Sequence, residues 1–226
     1  MVLALKWRGM DRIITIDGPS ASGKGSLTRG IASHLSFDIL DSGLLYRAYA
    51  YLYEKGVPGI DISSAIKELS FTFNLKDVLV YEDKIEITSI LRSEKIAKVA
   101  SMLSSKEDTR KNLLDIQRSF YDGKGLVADG RDMGTVVFPS ARLKIFLTAS
   151  SEVRAKRRHI ELQNRGQEVN MRDLIEDIEE RDLRDRTRTL SPLIPAEDSV
   201  VIDSSTMSLD EVLSFTKKLA KKEFDK

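Results

Sequence analysis

The sequence contains no cysteine and only two histidines, His34 and His159, among 226 residues. A disulfide framework and a zinc site built from cysteine and histidine are therefore excluded. No apolar run approaches the ~20 residues that a membrane-spanning helix needs. The N-terminal segment has too short an apolar stretch, and no small-residue cleavage site, for a secretory signal. We therefore expect a cytoplasmic protein that does not bind membranes.

The sequence also lacks an excess of charge of either sign. It has 36 Lys and Arg against 35 Asp and Glu, a formal net charge of +1. This balance argues against a general nucleic-acid binder, because such proteins usually carry a strong basic excess. Hydrophobic residues make up 41% of the chain, which is typical of a globular protein with a core. The length predicts a single domain, residues 1–226, and we expect a monomer.

Five short apolar runs predict buried parallel strands, because they are rich in large aliphatic residues and bounded by Gly, Asp or Ser. Helical patterns lie between them; Leu27, Ile31 and Leu35, for example, recur at four-residue spacing. This alternation predicts an α/β fold with a five-stranded parallel sheet and flanking helices. The predicted strands are residues 13–16, 38–40, 126–128, 143–147 and 200–202.

One region interrupts the alternation of strands and helices. Residues 71–75, 78–81 and 84–88 read as three short strands separated by only a few polar residues. Connections this short allow antiparallel pairing but not a parallel crossover. We interpret residues 61–105 as a small insertion of antiparallel strands and helices on the α/β core. The alternative is that these segments are edge strands of the main sheet.

A glycine-rich segment follows the first strand directly and leads into a helix. Its glycines let several backbone N–H groups converge on phosphate oxygens, and the helix N-terminus adds partial positive charge. Lys24 can then reach the β- and γ-phosphates of ATP. The alternative is a glycine-rich turn with a surface lysine. The predicted phosphate loop (P-loop) consists of Gly18, Pro19, Ser20, Ala21, Ser22, Gly23, Lys24, Gly25 and Ser26.

The residues around this loop narrow the class of nucleotide-binding protein. Gly25 stands where the general pattern has a serine or threonine, and the hydroxyl comes one position later, at Ser26. Such an ending resembles nucleoside monophosphate kinases. Gly130 follows Asp129 in place of the catalytic glutamate of motor ATPases, and the guanine-reading Asn-Lys-x-Asp motif is absent. Motors and GTPase switches are therefore disfavoured.

A second anion site is needed by an enzyme that transfers phosphate between nucleotides. Residues 41–47 follow the second predicted strand and begin a helix, which places backbone N–H groups near Arg47. A guanidinium group can hold a phosphate with two hydrogen bonds. The alternative is an ordinary helix cap with a solvated arginine.

Three segments together resemble bacterial cytidylate kinases. They are Asp-Ser-Gly-x-x-Tyr-Arg at 41–47, Asp-Gly-Arg-Asp-Met-Gly-Thr-Val-Val-Phe-Pro at 129–139, and Arg-Asp-x-Arg-Asp-Arg-x-Arg at 181–188. The similarity extends from residue 13 to about residue 213. It implies a nucleoside monophosphate kinase core, an insertion that binds the monophosphate, a mobile helical lid at about 154–170, and transfer of phosphate from ATP to CMP or dCMP.

The resemblance also implies the roles of individual residues. The catalytic residues would be Lys24, Arg131, Arg158 and Arg188. It implies no tightly held metal, so that Mg²⁺ arrives with ATP. The sequence differs from the usual family pattern at Ala21, Ser26 and Ser140, where glycine, threonine and aspartate are common. The implied acceptor site comprises Ser42, Tyr46, Arg47, Arg92, Ser101, Arg110, Asp129, Arg131, Asp132, Arg181, Asp185 and Arg188.

The chemistry of cytosine fits part of this set. Cytosine has an amino donor at N4, which a carboxylate such as Asp132 can accept. Arg110 and Ser101 can donate to the ring oxygen and nitrogen. Uracil would instead place a carbonyl against Asp132 and leave a buried acceptor unpaired, which is a strong source of discrimination. The alternative is that Asp132 only forms an ion pair with Arg131 or Arg110.

Two charged segments near the C-terminal end are open to two interpretations. Arg181, Arg184, Asp185 and Arg188 project onto one helical face. We hypothesise that Asp185 binds ribose hydroxyls while the arginines hold phosphate or Asp185; the alternative is a solvated face. The basic run at 154–159 belongs to the implied lid, whose closure would exclude water and bring arginines to the transferring phosphate. Its alternative is a basic helix face without a catalytic part.

Other functions remain as alternatives. The nearest is a kinase with the same core that acts on UMP, AMP or shikimate. A regulatory module that only binds ATP is disfavoured, because it would not need the second anion site. A nucleic-acid binder is disfavoured because acidic residues are interleaved in each arginine cluster.

Overall fold

The computed structural model describes residues 11–73, 77–164, 166 and 168–224. A parallel sheet and a smaller antiparallel sheet, both accompanied by helices, make up this part of the chain. In chain order the elements are β1 (Ile13–Asp17), α1 (Lys24–Leu35), β2 (Asp38–Asp41), α2 (Ser42–Glu54), α3 (Gly59–Glu68), β3 (Ser70–Phe73), β4 (Val78–Glu82), β5 (Ile85–Glu86), α4 (Thr88–Leu91), α5 (Glu94–Leu103), α6 (Glu107–Ser119), β6 (Leu126–Gly130), a π-helical turn (Met133–Val137), β7 (Leu143–Thr148), α7 (Ser151–Gln163), α8 (Met171–Thr187), β8 (Val200–Asp203) and α9 (Leu209–Phe224).

The main sheet confirms the predicted five-stranded parallel core. Its strand order is β2-β6-β1-β7-β8, and every neighbouring pair is parallel. All five residues of β1 are buried, as expected of a strand covered on both faces. In the strand register Asp17 lies opposite Gly130, and Asp41 lies opposite Asp129. The carboxyl ends of β1, β2 and β6 therefore place three aspartates along one edge of the sheet.

The smaller sheet has three antiparallel strands in the order β3-β4-β5 and is separate from the main sheet. The prediction of an antiparallel insertion is confirmed, and the alternative of edge strands of the main sheet is wrong. The strand predicted at 84–88 is too long. Asp83 and Lys84 have positive φ angles and form the hairpin turn, and Thr88 already begins α4. Residues 74 and 75 of the first predicted strand lie outside the described residues, as do residues 165 and 167 of the implied lid.

The helices near the cleft come from three parts of the chain. Helix α2 leaves the sheet edge and packs against α3, α5 and α6, so that it joins the core to the insertion. Helices α7 and α8 pack against each other as a pair. Within the part of the chain that the structure describes, no helix has the length and apolar character required to cross a membrane.

Candidate active site

The P-loop runs from the end of β1 into the first turn of α1, as the sequence predicts. At Gly18 an added Cβ would lie 2.0 Å from the carbonyl oxygen of Leu147, and φ is +151°, so a side chain does not fit. Ala21 adopts a left-handed φ of +58°. This conformation costs an L-residue with a Cβ about 1–2 kcal/mol, which a glycine avoids. The substitution noticed in the sequence therefore falls where the loop is strained.

Lys24 is the first residue of α1 and is buried beneath the loop. Its Nζ donates a hydrogen bond to the carbonyl oxygen of Pro19, 2.8 Å away. Burial, followed by the charge of Arg131, lowers the pKa of Lys24 to about 7, although Asp129 opposes this shift. An anionic phosphate in the loop would favour the charged form of the amine.

Two of the three aspartates at the sheet edge, Asp129 and Asp17, favour the charged form of this lysine. Burial, followed by repulsion from Asp41, raises the pKa of Asp129 to about 7. Burial also raises the pKa of Asp17 to about 6, against two backbone hydrogen bonds that lower it. Asp41 caps α2, with its Oδ1 accepting from Leu44 N at 2.9 Å. Neither Asp17 nor Asp41 was among the predicted site residues, although both directly precede a predicted loop or helix.

The start of α2 and the helix α6 form one wall of the cleft. The side chain of Gln117 donates to Ser42 Oγ at 2.8 Å in a buried position. Arg110 forms an ion pair with Asp132 and also donates to the carbonyl oxygen of Ser104. Its guanidinium lies 6.0 Å from the centre of the Tyr46 ring. The sequence thus identified these side chains as neighbours but missed Gln117, whose partner is 75 residues away.

Arginines from the insertion side are held by protein groups. Arg47 Nη1 donates to the carbonyl oxygen of Leu91 at 2.9 Å. Arg92 pairs with Asp77 at 2.5 Å. Ser101 lines the same cleft from α5. The insertion therefore contributes Arg92 and the hydroxyl group of Ser101 to the lining of this cleft.

The C-terminal half of α8 and the residue that follows it, Arg188, contribute to the cleft three of the four charged residues that were predicted to share a face. Arg131 Nε donates to Asp185 Oδ2 at 3.0 Å, and Arg188 Nη1 lies 4.0 Å from the same carboxylate. Burial alone would raise the pKa of Asp185, but Arg131, Arg181 and Arg188 lower it below its usual value. Arg184 is exposed and does not line this cleft. At ~100° per residue it lies at the edge of the arc that the other three share, which turns it away from the cleft.

The arginines of α7 occupy three different environments. Arg154 is buried and donates to both carboxylate oxygens of Asp182 as well as to the carbonyl oxygen of Ser20. Arg157 donates to the carbonyl oxygens of Ser22 and Ser204. Arg158 pairs with Glu94 of α5 and Glu161 of its own helix. The run at 154–159 is thus not a uniformly solvated basic face.

These groups line one cleft of about 740 Å³ at the carboxyl edge of the sheet. All predicted site residues except Gly18 and Pro19 border it. Among the described residues, three arginines have a buried donor atom without a hydrogen-bond partner: Arg92 Nε, Arg181 Nε and Arg188 Nη2. Buried donors are normally satisfied in proteins, so arginines that line a cleft and keep such a donor point to anionic ligands.

The comparisons with known proteins agree with the resemblance found in the sequence. A family model described as cytidylate kinase matches residues 14–222. The cytidylate kinase of Stutzerimonas stutzeri is 44% identical over 212 residues, which cover 89% of this chain and 91% of that protein. The cytidylate kinase of Saccharophagus degradans is 46% identical over 213 residues, which cover 90% and 94% of the two chains.

A solved structure with much lower sequence identity has a similar fold. An uncharacterized protein from Eubacterium ventriosum is 13% identical and matches with a TM-score of 0.51. The match covers 94% of this chain and 99% of that chain. At this level of identity the similarity concerns the fold alone.

Proposed function

Because the chain belongs to the cytidylate kinase family and is an ATP-dependent kinase of CMP or dCMP, we propose that its large cleft binds both nucleotides and aligns them for direct phosphoryl transfer. The observation that supports this arrangement most is that Arg92, Arg181 and Arg188, each with a buried donor that lacks a hydrogen-bond partner, line the same cleft as the P-loop. An ATP-binding module without an acceptor would have no use for that second cationic wall.

The donor nucleotide occupies the P-loop end of the cleft. Its phosphates accept from backbone N–H groups of residues 20–26, and Lys24 exchanges its bond to Pro19 for a phosphate oxygen. Arg157 and the residues that follow β8, including Met207, border the adjacent space. A guanidinium plane opposite an apolar side chain suits a flat purine ring, so we assign the ATP base to this space.

The acceptor nucleotide occupies the opposite end. Arg131 and Arg188 hold its phosphate together with Arg92 and Arg181, and Ser42 donates to the same group. Asp185 accepts from the ribose hydroxyls. The base lies against Arg110, Ser101 and Asp132. The Asp132 carboxylate accepts from the cytosine amino group while it remains paired with Arg110, so the ion pair and base recognition are compatible.

The transfer itself needs positioning and charge neutralisation more than proton removal. An anionic oxygen of the CMP phosphate forms a bond to the γ-phosphorus of ATP as the bond to the β–γ bridging oxygen breaks, and ADP leaves with the electron pair. Lys24 and the arginines neutralise the charge on the transferred group. Arg158 reaches this group when α7 moves toward the P-loop and its bond to Glu94 opens.

Magnesium fits this site as a companion of ATP. Among the described residues there is no group of three or more carboxylates or histidines that could hold a metal ion by itself. Asp41 and Asp129 repel each other near the P-loop, and Ser26 supplies a hydroxyl there. These groups would bind the water shell of a metal that the ATP phosphates carry, and Mg²⁺ would supply further charge neutralisation.

An acceptor profile tests the proposed site. ADP release is measured with CMP, dCMP, UMP and AMP as alternative acceptors in the presence of Mg·ATP. The proposal predicts efficient turnover with the two cytidine nucleotides and weak turnover with the others. Equal turnover with AMP would contradict the assignment of the base-binding residues. We further propose that the protein acts in the cytoplasm as a monomer, without a nucleic-acid or membrane partner.

A further inference from the structure

A short π-helical turn follows the two residues that line the acceptor end of the cleft, Arg131 and Asp132. The N–H groups of Val136 and Val137 both donate to the carbonyl oxygen of Asp132, at 2.9 and 3.2 Å. The turn thus begins at Asp132, and the first N–H groups inside it have no acceptor within the turn. An aspartate at such a position normally accepts these bonds with its own side chain.

Asp132 does not accept them. Its carboxylate is directed into the cleft, where it pairs with Arg110. The N–H groups without an acceptor inside the turn are those of Met133 and Gly134. They donate instead to Asp17, to Oδ1 at 2.8 Å and to Oδ2 at 2.7 Å. Asp17 is 5% exposed and comes from the end of β1, 116 residues earlier than Met133. The cap of the turn is therefore supplied by another strand.

We propose that Asp17 is a positioning residue for base recognition: it caps the turn in place of Asp132 and thereby leaves the Asp132 carboxylate free to face the acceptor base. The inference rests on the proposed role of Asp132 in binding cytosine. Without Asp17, the N–H groups of Met133 and Gly134 would be unpaired, and the Asp132 carboxylate could accept from them. It would turn toward them, away from Arg110 and the base.

The packing around the cap fits this role. A Cβ at position 134 would lie 2.8 Å from Thr15 Oγ1 and 3.3 Å from Asp17 Oδ2. Only glycine therefore lets the backbone approach β1 closely enough for both hydrogen bonds. At the other end of the turn, Arg118 donates to the carbonyl oxygens of Val137 and Val136, at 3.1 and 3.3 Å. Both ends of the turn are held by charged side chains, but only Asp17 competes with Asp132 for the same donors.

The charge state of Asp17 supports the assignment. Burial raises its pKa to about 6, and the two N–H groups lower it from what burial alone would give. Asp17 is thus mostly ionised at pH 7, with an acceptor lone pair on each oxygen. In Asp17→Asn one oxygen is replaced by an NH₂ group, which faces a backbone N–H. This near-isosteric change leaves one of the two backbone donors without a partner.

The test compares Asp17→Asn with Arg118→Met, which loosens the other end of the same turn. The readouts are kcat/KM for CMP and for UMP and the KM for ATP. In Asp17→Asn we expect the CMP-to-UMP ratio to fall by about tenfold, in line with one unsatisfied buried polar group, mainly through a higher KM for CMP. In Arg118→Met the ratio should change by less than about twofold, which is within the effect of an uncoupled site. The KM for ATP should stay nearly constant in Arg118→Met; in Asp17→Asn it is measured separately, because Asp17 also favours the charged form of Lys24.

An unchanged ratio in Asp17→Asn, or an equal loss in both variants, would overturn the positioning role while leaving the cytidylate kinase activity intact. A wild-type protein that does not prefer CMP to UMP would instead overturn the proposed base site and this inference with it. Amide exchange in the wild type gives a measurement that does not depend on the variant folding. The N–H groups of Met133 and Gly134 should be protected before CMP is added; rapid exchange there would contradict the cap.

Discussion

Arg131 and Asp185 connect the carboxyl end of β6 to helix α8 through a hydrogen bond of 3.0 Å. Arg188 approaches the same carboxylate from the C-terminal end of the helix, at 4.0 Å. Asp185 is buried, and it lines the cleft together with both arginines, at the proposed acceptor end. Because an ionised carboxylate has about four acceptor positions, Asp185 can keep Arg131 and still bind a ribose hydroxyl.

Replacing Asp185 by alanine should therefore raise the KM for CMP. A hydrogen bond to a charged group contributes about 1.5–3 kcal/mol, so we expect an increase of about tenfold or more. The increase should be smaller for dCMP, which has one ribose hydroxyl fewer. Steady-state ADP release with both acceptors measures the two values. Unchanged KM values would rule out a role of Asp185 in binding ribose.

Arg154 has a structural role that its position in a basic run does not suggest. The Arg154–Asp182 pair is almost completely buried, with side-chain exposures of 4% and 8%. Arg154→Met would leave a buried carboxylate unpaired, and we expect a loss of about 3–5 kcal/mol in the free energy of unfolding. The double variant Arg154→Met/Asp182→Leu should recover much of that stability. Urea unfolding measures both; a single variant as stable as wild type would contradict this role.

Lys24 should take up a proton when ATP binds. With its pKa lowered to about 7, the free amine is mostly neutral at pH 8, and the nucleotide phosphates favour its charged form. Calorimetry in two buffers of different ionisation enthalpy should show net uptake of protons at pH 8 and little at pH 6. Lys24→Met should abolish the uptake and lower kcat by about a hundredfold or more. Equal uptake in the variant, or near-normal turnover, would exclude the proposed role of Lys24.

Asp17 should impose a pH dependence on stability. Its folded-state pKa is raised from 3.8 to about 6, so the folded protein binds the proton more tightly than the unfolded chain. Stability from this group is therefore greatest below pH 4 and decreases as the pH rises to about 6. At about 1.4 kcal/mol per pKa unit, wild type should lose about 2.5 kcal/mol relative to Asp17→Asn between pH 4 and pH 7. Parallel pH profiles for the two proteins would contradict the raised pKa.

The sequence predicts the core and much of the cleft because both depend on local patterns. Short aliphatic runs mark all five strands of the main sheet, and the P-loop follows β1 directly. The antiparallel insertion is also predicted from its short connections. Its third strand is assigned wrongly at both ends, because Lys84 has a positive φ without being a typical turn residue, and Thr88 begins α4.

The remaining features depend on contacts between residues far apart in the sequence. Asp17 reaches Gly134 across 117 positions, and Arg157 reaches Ser22 across 135. No local pattern distinguishes Arg154, which is buried with Asp182, from Arg158 near the cleft. Helical periodicity places Arg184 on the same helical face as Arg188. It does not show how wide the cleft is, and Arg184 lies outside the cleft and is exposed. Such assignments need the three-dimensional positions of both partners.

Base recognition by Asp132 is tested most directly by comparing Asp132→Asn with Asp185→Ala in the preference for CMP over UMP. The amide introduced by Asp132→Asn could donate to the uracil carbonyl, whereas the carboxylate of Asp132 only accepts from the cytosine amino group. We expect the ratio of kcat/KM values to fall by at least about tenfold in Asp132→Asn, because a buried mispaired group costs about 1–3 kcal/mol. Asp185→Ala should retain the wild-type ratio, because CMP and UMP have the same ribose and lose the same contact. A ratio that survives in Asp132→Asn would show that the base is recognised elsewhere.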